Sequence, residues 1–145
     1  MPIRPQHRWL YPFDWPQLSM AVRFRRAKGR CEQCLRPHGR MICHLGDGRW
    51  WDEQAEAWRN GAGKALRRSG GAPAPDDPTI RTTKVWLAAA HLDHDPANNS
   101  ARNLKALCQR CHLMHDRDEH RRRRWLTLHR RKAIGDLFMG IYAGQ

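Results

Sequence analysis

Apolar and polar positions along this chain alternate with changing period, and the changes mark out the elements. Residues 1–13 are rich in proline and aromatics, which predicts an extended arm. Asp14 then stands as a helix cap with Pro16 tolerated in the first turn. Leu18, Ala21, Val22 and Arg25 follow at helical spacing, and Gly29 supplies a stop. Between 40 and 60 the pattern supports two readings. Gly46-Asp47-Gly48, flanked by Arg40–Leu45 and Arg49–Asp52, signals a hairpin. Trp51, Ala55 and Trp58 also fit one helix face. The hairpin, followed by irregular chain, is the preferred reading. Ser69–Pro78 is a flexible loop by composition. Lys84–Leu92 reads as a strand with Val85, Leu87 and Ala89 on one face. Pro96 and Asn98-Asn99 enforce a turn, Leu104 and Leu107 anchor the return, and a helix starts near Cys108–Cys111. The stretch His120–Lys132 is helical again, with Trp125, Leu128 and Lys132 as its inner face.

Composition narrows the partner. The chain has 145 residues, with 27 Lys+Arg against 14 Asp+Glu, a formal charge of +13. Its pI near 10.7 points to a polyanion, nucleic acid first and an anionic membrane surface second. No apolar run is long enough to span a bilayer, and the N-terminus lacks an apolar signal region, so a cytoplasmic location is expected. A single domain fits this length. Within it, 1–30 is an arm and helix, 35–83 an insertion with the loop 69–78, 84–116 a core, and 117–145 a basic helical tail. Much of the apolar share, 40%, is Trp and Ala, so the core is thin and a metal would help hold it.

Four of the five cysteines are expected to supply such a metal site. Cys31/Cys34 and Cys108/Cys111 are two Cys-x-x-Cys pairs, and thiolates at i and i+3 of a tight turn reach one metal together. Residues 35–107 lie between the pairs, far more than in a simple zinc ribbon. Cys43 is left over and reads as a small buried hydrophobe.

A second cluster follows. His91 and Asp93 share a face of the expected strand and His94 points the other way. His112, His115 and Asp116 fall on one helix face. A strand carboxylate with a helix imidazole can bind a divalent ion and leave positions open for phosphate, and an unligated histidine beside it can take a proton from water. Against this stands the ordinary reading of such histidines as solvated surface groups.

Asp93-His94-x-Pro96, followed by Asn103-Leu104-x-x-Leu107-Cys108-x-x-Cys111-His112, resembles the signature of the HNH endonucleases, with Cys31/Cys34 as the upstream pair that many members carry. The resemblance covers 31–34 and 91–116, and the flanking helices look like those of small bacterial and phage members. It implies an α+β fold: a small ββα-metal core on a zinc-clamped, treble-clef-like scaffold with N- and C-terminal helices. It implies that His94 is the general base, that Asp93 and His112 are ligands of the catalytic ion, and that Asn103 fixes the hairpin loop. Cys31, Cys34, Cys108 and Cys111 would hold structural zinc. His115 is expected as a further ligand or phosphate contact, His91 as scaffold, and Asp116 as a solvated residue. Asp95 departs from the family, which often has a bulky aliphatic there.

The expected activity is DNA phosphodiester hydrolysis with Mg²⁺, Mn²⁺, Ni²⁺ or Zn²⁺. Arg121, Arg122, Arg123, Arg124, Arg130, Arg131 and Lys132 are expected on DNA phosphates. Trp50, Trp51 and Trp58 are assigned to packing rather than base stacking. Two rivals remain: a zinc-stabilised nucleic-acid-binding module without catalysis, and a zinc protein that docks an acidic protein.

Overall fold

The structure is a computed structural model that describes residues 5–67 and 71–142, with side chains described over 8–67 and 71–130. The side chains of Arg131 and Lys132, and the start of the 69–78 loop, lie outside the described residues. The fold is mixed α+β, and the chain divides into two compact units, 1–112 and 113–145. Among the described residues no helix is long and apolar enough to cross a membrane.

The first unit opens with a correction to the extended arm. Pro5–Leu10 forms a 3-10 helix. Helix α1, Trp15–Met20, continues as a wider π-turn segment over Ala21–Arg26. Asp14 stands at its cap, but its side chain makes no capping bond; its backbone carbonyl accepts from Leu18 N at 3.0 Å instead. The segment ends where expected. Lys28 and Gly29 both turn to positive φ, 50° and 70°, and Gly29 N closes on Arg23 O at 2.9 Å.

Four strands make the first sheet: β1 Met41–His44, β2 Trp50–Asp52, β3 Ala57–Arg59 and β4 Arg81–Lys84, in the order β3-β2-β1-β4. All neighbours are antiparallel. The Gly-Asp-Gly hairpin forms, because Gly46 and Gly48 accept φ of +81° and +111° and Asp47 Oδ1 receives Arg49 N at 2.9 Å. Trp51 and Trp58 lie in paired strands rather than on a helix face, so the segment after the hairpin is a regular third strand. Trp50 is wholly buried and Trp58 nearly so, while Trp51 meets Trp58 edge-on at 5.8 Å.

The expected strand Lys84–Leu92 is divided between two sheets. Lys84 ends β4, and β5, Leu87–His91, pairs antiparallel with β6, Leu104–Cys108. The break falls at Val85-Trp86, where the Gln109 side chain takes over the backbone pairing. Gln109 Oε1 accepts from Trp86 N at 3.0 Å and its Nε2 donates to Lys84 O at 2.6 Å. The simple alternation fails for the same reason: Val85, Leu87 and Ala90 are buried, whereas Ala89 packs on the other side against α1. β6 runs without a loop into α2, Gln109–Tyr142.

Two clusters fill the unit. One gathers the four paired cysteines with Ile42, Trp50, Val85, Leu87, Ala90 and Leu107. The other sets Val22, Trp15, Leu18 and Ala27 of the N-terminal helix on Ala89, Leu104 and Ala106 of the hairpin. The second unit is the remainder of α2. Within this unit Trp125 and Leu128, two of the residues expected on an inner face, are 55% and 50% exposed. Trp125 stacks on His129 at 3.8 Å instead.

Because Trp50 is fully buried and its Nε1 donates to Cys34 O at 3.0 Å, Trp50→Ala is expected to remove about 3–5 kcal/mol of stability, read as a lower urea midpoint.

Candidate metal centre and the β5–β6 loop

The sequence folds the first cysteine pair into a knuckle. Cys31 N donates to Arg36 O at 3.0 Å and Leu35 N to Cys31 O at 2.8 Å, with Leu35 at a φ of +65°. Gly63 presses on this turn. A Cβ there would lie 2.9 Å from Leu35 Cγ and 3.0 Å from the Cys34 carbonyl carbon, and Gly63 holds a φ of +81°. The second pair comes from the end of β6 and the first turn of α2, where i and i+3 share a face.

All four sulfurs lie within 4.8 Å of one another and all four residues are buried. Cys34 and Cys108 Sγ are 3.5 Å apart, too far for a disulfide at about 2.05 Å. A zinc tetrahedron with bonds of about 2.3 Å sets its sulfurs about 3.8 Å apart, so the group is the right size for a structural metal such as zinc. Cys108 N donates to Cys31 Sγ at 3.3 Å, the backbone support that a bound thiolate uses. As bare thiols the four ionise unevenly. Hydrogen bonds from Cys108, Cys111 and Cys34 push Cys31 down, while Cys34 and Cys111, held to the shared protons by Cys108 first, are pushed up. A divalent cation would remove this conflict by displacing the shared protons and binding all four as thiolates, offsetting two of their four charges. Cys43 stands apart, half-buried, with Sγ donating to Pro75 O at 3.4 Å.

Glu32, inside the first pair, ties the knuckle to β6. Its N donates to Ala106 O at 2.9 Å and its Oε2 accepts from Ala106 N at 2.6 Å. Arg26 grips the same carboxylate at 3.1 and 2.8 Å, and donates to Ala101 O and Leu104 O. Sequence reasoning missed both residues, because their partners lie far along the chain and no local spacing marks them.

At the other end of the β5–β6 hairpin, the connecting loop is organised by Asp93 and Asn103. Asn103 is buried, and its amide makes three bonds: Nδ2 donates to Asp93 Oδ1 at 2.8 Å and to Asn98 O at 2.7 Å, and Oδ1 accepts from Asp93 N at 3.1 Å. Asp93 Oδ1 also accepts from Asp95 N at 2.9 Å, and Oδ2 from Asn98 Nδ2 at 2.7 Å. These bonds, from Asp95 N first and then Asn103 and Asn98, hold the Asp93 carboxyl down at about 2. Asp95, the departure from the family pattern, accepts from Ala97 N at 2.9 Å and so serves the turn.

β5 stops at His91, so Asp93 lies in the loop and does not share a strand face with His91 as expected. His91 stacks on Trp15 with ring centroids 5.0 Å apart, meets Tyr11 edge-on, and its Nε2 bonds Asn99 Oδ1 at 3.0 Å. His94 is half-buried with a φ of +60°, a left-handed backbone uncommon for a residue other than glycine, and its N donates to His91 O at 3.3 Å. His112 follows Cys111 on α2 and is half-buried. His115 and Asp116 belong to the second unit. There, Glu119 pairs with Arg122 at 2.9 Å and Arg123 at 2.7 Å, which hold it near 2, and Asp118 faces Arg121 at 3.6 Å. Arg124 and Arg130 are exposed, with no acidic partner among the described residues.

Comparison with family models, curated proteins and solved structures finds no match.

Two outcomes follow from this geometry. Chelation or Cys108→Ala is expected to release stoichiometric zinc and unfold the first unit, read by metal analysis and circular dichroism, since such a metal contributes on the order of 10 kcal/mol to folding; an unchanged melting temperature would refute the zinc clamp. The Asp93 carboxyl is depressed from an ordinary 3.8, so its contribution to the loop is whole above that value and is lost as pH falls towards about 2. Carboxyl-carbon NMR should give a midpoint near 2, moving up towards the ordinary range in Asn103→Ala.

Proposed function

We propose that this chain is a metal-dependent endonuclease that hydrolyses DNA phosphodiester bonds, with His94 activating water and a divalent ion held by Asp93 and His112. The observation that carries this reading is the β5–β6 loop. There Asn103 and Asn98 keep a carboxylate ionised immediately before a histidine in a left-handed backbone. Strained backbone of this kind is kept where the surrounding structure enforces it, and it concentrates at functional sites. The order strand, strand, helix over β5, β6 and α2 supports the ββα-metal core that the sequence resemblance implies.

In this reading the His94 imidazole takes the proton of a water that attacks phosphorus in line with the leaving 3′ oxygen. Asn103 acts at one remove, fixing Asp93 and the loop that carries His94. A divalent ion on Asp93 and His112 would supply Lewis-acid stabilisation of the charge on the phosphoryl and leaving oxygens. The formal charge of +13, with Arg124 and Arg130 exposed on α2 beside the Arg121–Arg123 run, supports DNA as the polyanionic partner.

One observation favours the second reading, a zinc-stabilised nucleic-acid-binding module. Asp93 already accepts three hydrogen bonds, which suits a loop brace as well as a metal ligand. A supercoiled-plasmid assay separates the two. Metal-stripped protein would be given Mg²⁺, Mn²⁺, Ni²⁺ or Zn²⁺ in turn, alongside His94→Ala and His94→Asn, the latter chosen because asparagine tolerates the left-handed backbone. We expect metal-dependent nicking or linearisation, reduced at least ~100-fold in both variants with DNA affinity and melting temperature retained. Salt-sensitive binding without cleavage by any metal would leave the binding module standing.

A further inference from the structure

The first sheet gathers positive charge that neither the cysteine centre nor the β5–β6 loop uses. Arg36 lies two residues past the first cysteine pair and is only 5% exposed. Its Nη2 donates to Gly48 O at a long 3.3 Å, and its buried Nε has no partner among the described residues. Arg110, in the first turn of α2, reaches the same β1–β2 turn. A Cβ at Gly48 would stand 2.6 Å from Arg110 Nη2, and one at Gly61 3.3 Å from its Nη1. Two glycines therefore leave the room that this guanidinium occupies.

His44 and Arg81 sit directly opposite each other in the β1–β4 register, so their side chains stand on the same face. Burial, and then the charges of Arg36, Arg81 and Arg110, push the His44 imidazole down. Gly46 N donates to His44 Nδ1 at 3.2 Å, which places the ring proton of the neutral form on Nε2 as a donor. The nearby carboxylates are committed elsewhere: Asp47 to Arg49 at 2.7 Å, and Asp52 to Arg59 at 2.6 Å and Arg30 at 3.4 Å.

A guanidinium stays charged in proteins, and burying one without a counter-charge is strongly unfavourable. Its planar donor fork matches phosphate oxygens, and three such groups suit a tetrahedral oxyanion better than a single carboxylate. We propose that Arg36, Arg81, Arg110 and His44 form a phosphate-binding site at the β1–β2 turn. The phosphate is either free or part of a nucleic-acid strand. The proposal does not rest on the nuclease reading, because none of its residues belongs to the β5–β6 loop.

The test uses the full zinc-loaded chain, labelled so that the arginine Nε–H resonances are visible by NMR. Inorganic phosphate, and separately a short duplex DNA without terminal phosphates, would be titrated at constant ionic strength. Arg36 is buried beside Cys34 and its replacement endangers folding, so Arg81→Gln and Arg110→Gln are the variants. We expect a saturable shift of the Arg36 resonance, with the dissociation constant raised at least ~10-fold in Arg110→Gln. A shift with phosphate alone assigns a free phosphate; a shift with the duplex, competed by phosphate or seen without it, assigns a strand phosphate. No saturable shift with either probe, or the same dissociation constant in both variants as in the parent chain, would overturn the site.

Discussion

Four sulfurs drawn to within 4.8 Å of one another join the end of the N-terminal helix segment to the junction of β6 and α2. The rest of the first unit is arranged around that junction. Trp50 delivers its indole proton to the Cys34 carbonyl, Gly63 closes on the knuckle where no larger residue fits, and Glu32 carries one backbone and one side-chain bond across to Ala106. In a chain whose apolar share leans on tryptophan and alanine, hydrophobic burial is spread thin. A metal held by the thiol cluster at the centre of the larger core would supply the missing cohesion.

The β5–β6 hairpin transmits that order. Leu87 pairs with Cys108 at one end and His91 with Leu104 at the other, so the same two strands touch the cysteine cluster and open into the Asp93–Asn103 loop. The loop adds its own bracing: one buried amide that bonds Asp93 twice and Asn98 once, and His91 clasped between Trp15 and Asn99. A carboxylate and a neighbouring histidine are thereby held on a short, firmly tethered segment, the condition under which either chemistry or recognition becomes specific.

Charge is partitioned with the same economy. Asp52 and Glu32 absorb Arg30, Arg59 and Arg26 where the backbone needs neutral cover. Arg36 and Arg110 reach one turn at Gly48, and Arg81 stands opposite His44 in the adjoining strand. In the second unit, Glu119 and Asp118 temper the arginine run along α2 without cancelling it. Two places where base exceeds acid differ in kind: a partly buried group on the first sheet and an exposed helix surface.

The sequence by itself determined what depends on near neighbours. Glycines set the stop at Gly29 and the turn at Gly46-Asp47-Gly48, and Cys-x-x-Cys spacing put each pair of thiols on one turn, because such features are decided within a few residues. Helix α2 was legible for the same reason, as was the packing role of Trp50 and Trp58. Tertiary structure decided the rest. Whether Lys84–Leu92 would be one strand or two depended on Gln109 reaching back to Lys84 and Trp86. Whether Trp51 and Trp58 would face a helix or a partner strand depended on β2 and β3 finding each other. The meeting of Arg36 with Arg110 at Gly48 had no trace in local spacing. These are choices of partner between distant segments, and distant partners are fixed by packing and charge in three dimensions rather than by the period of the chain.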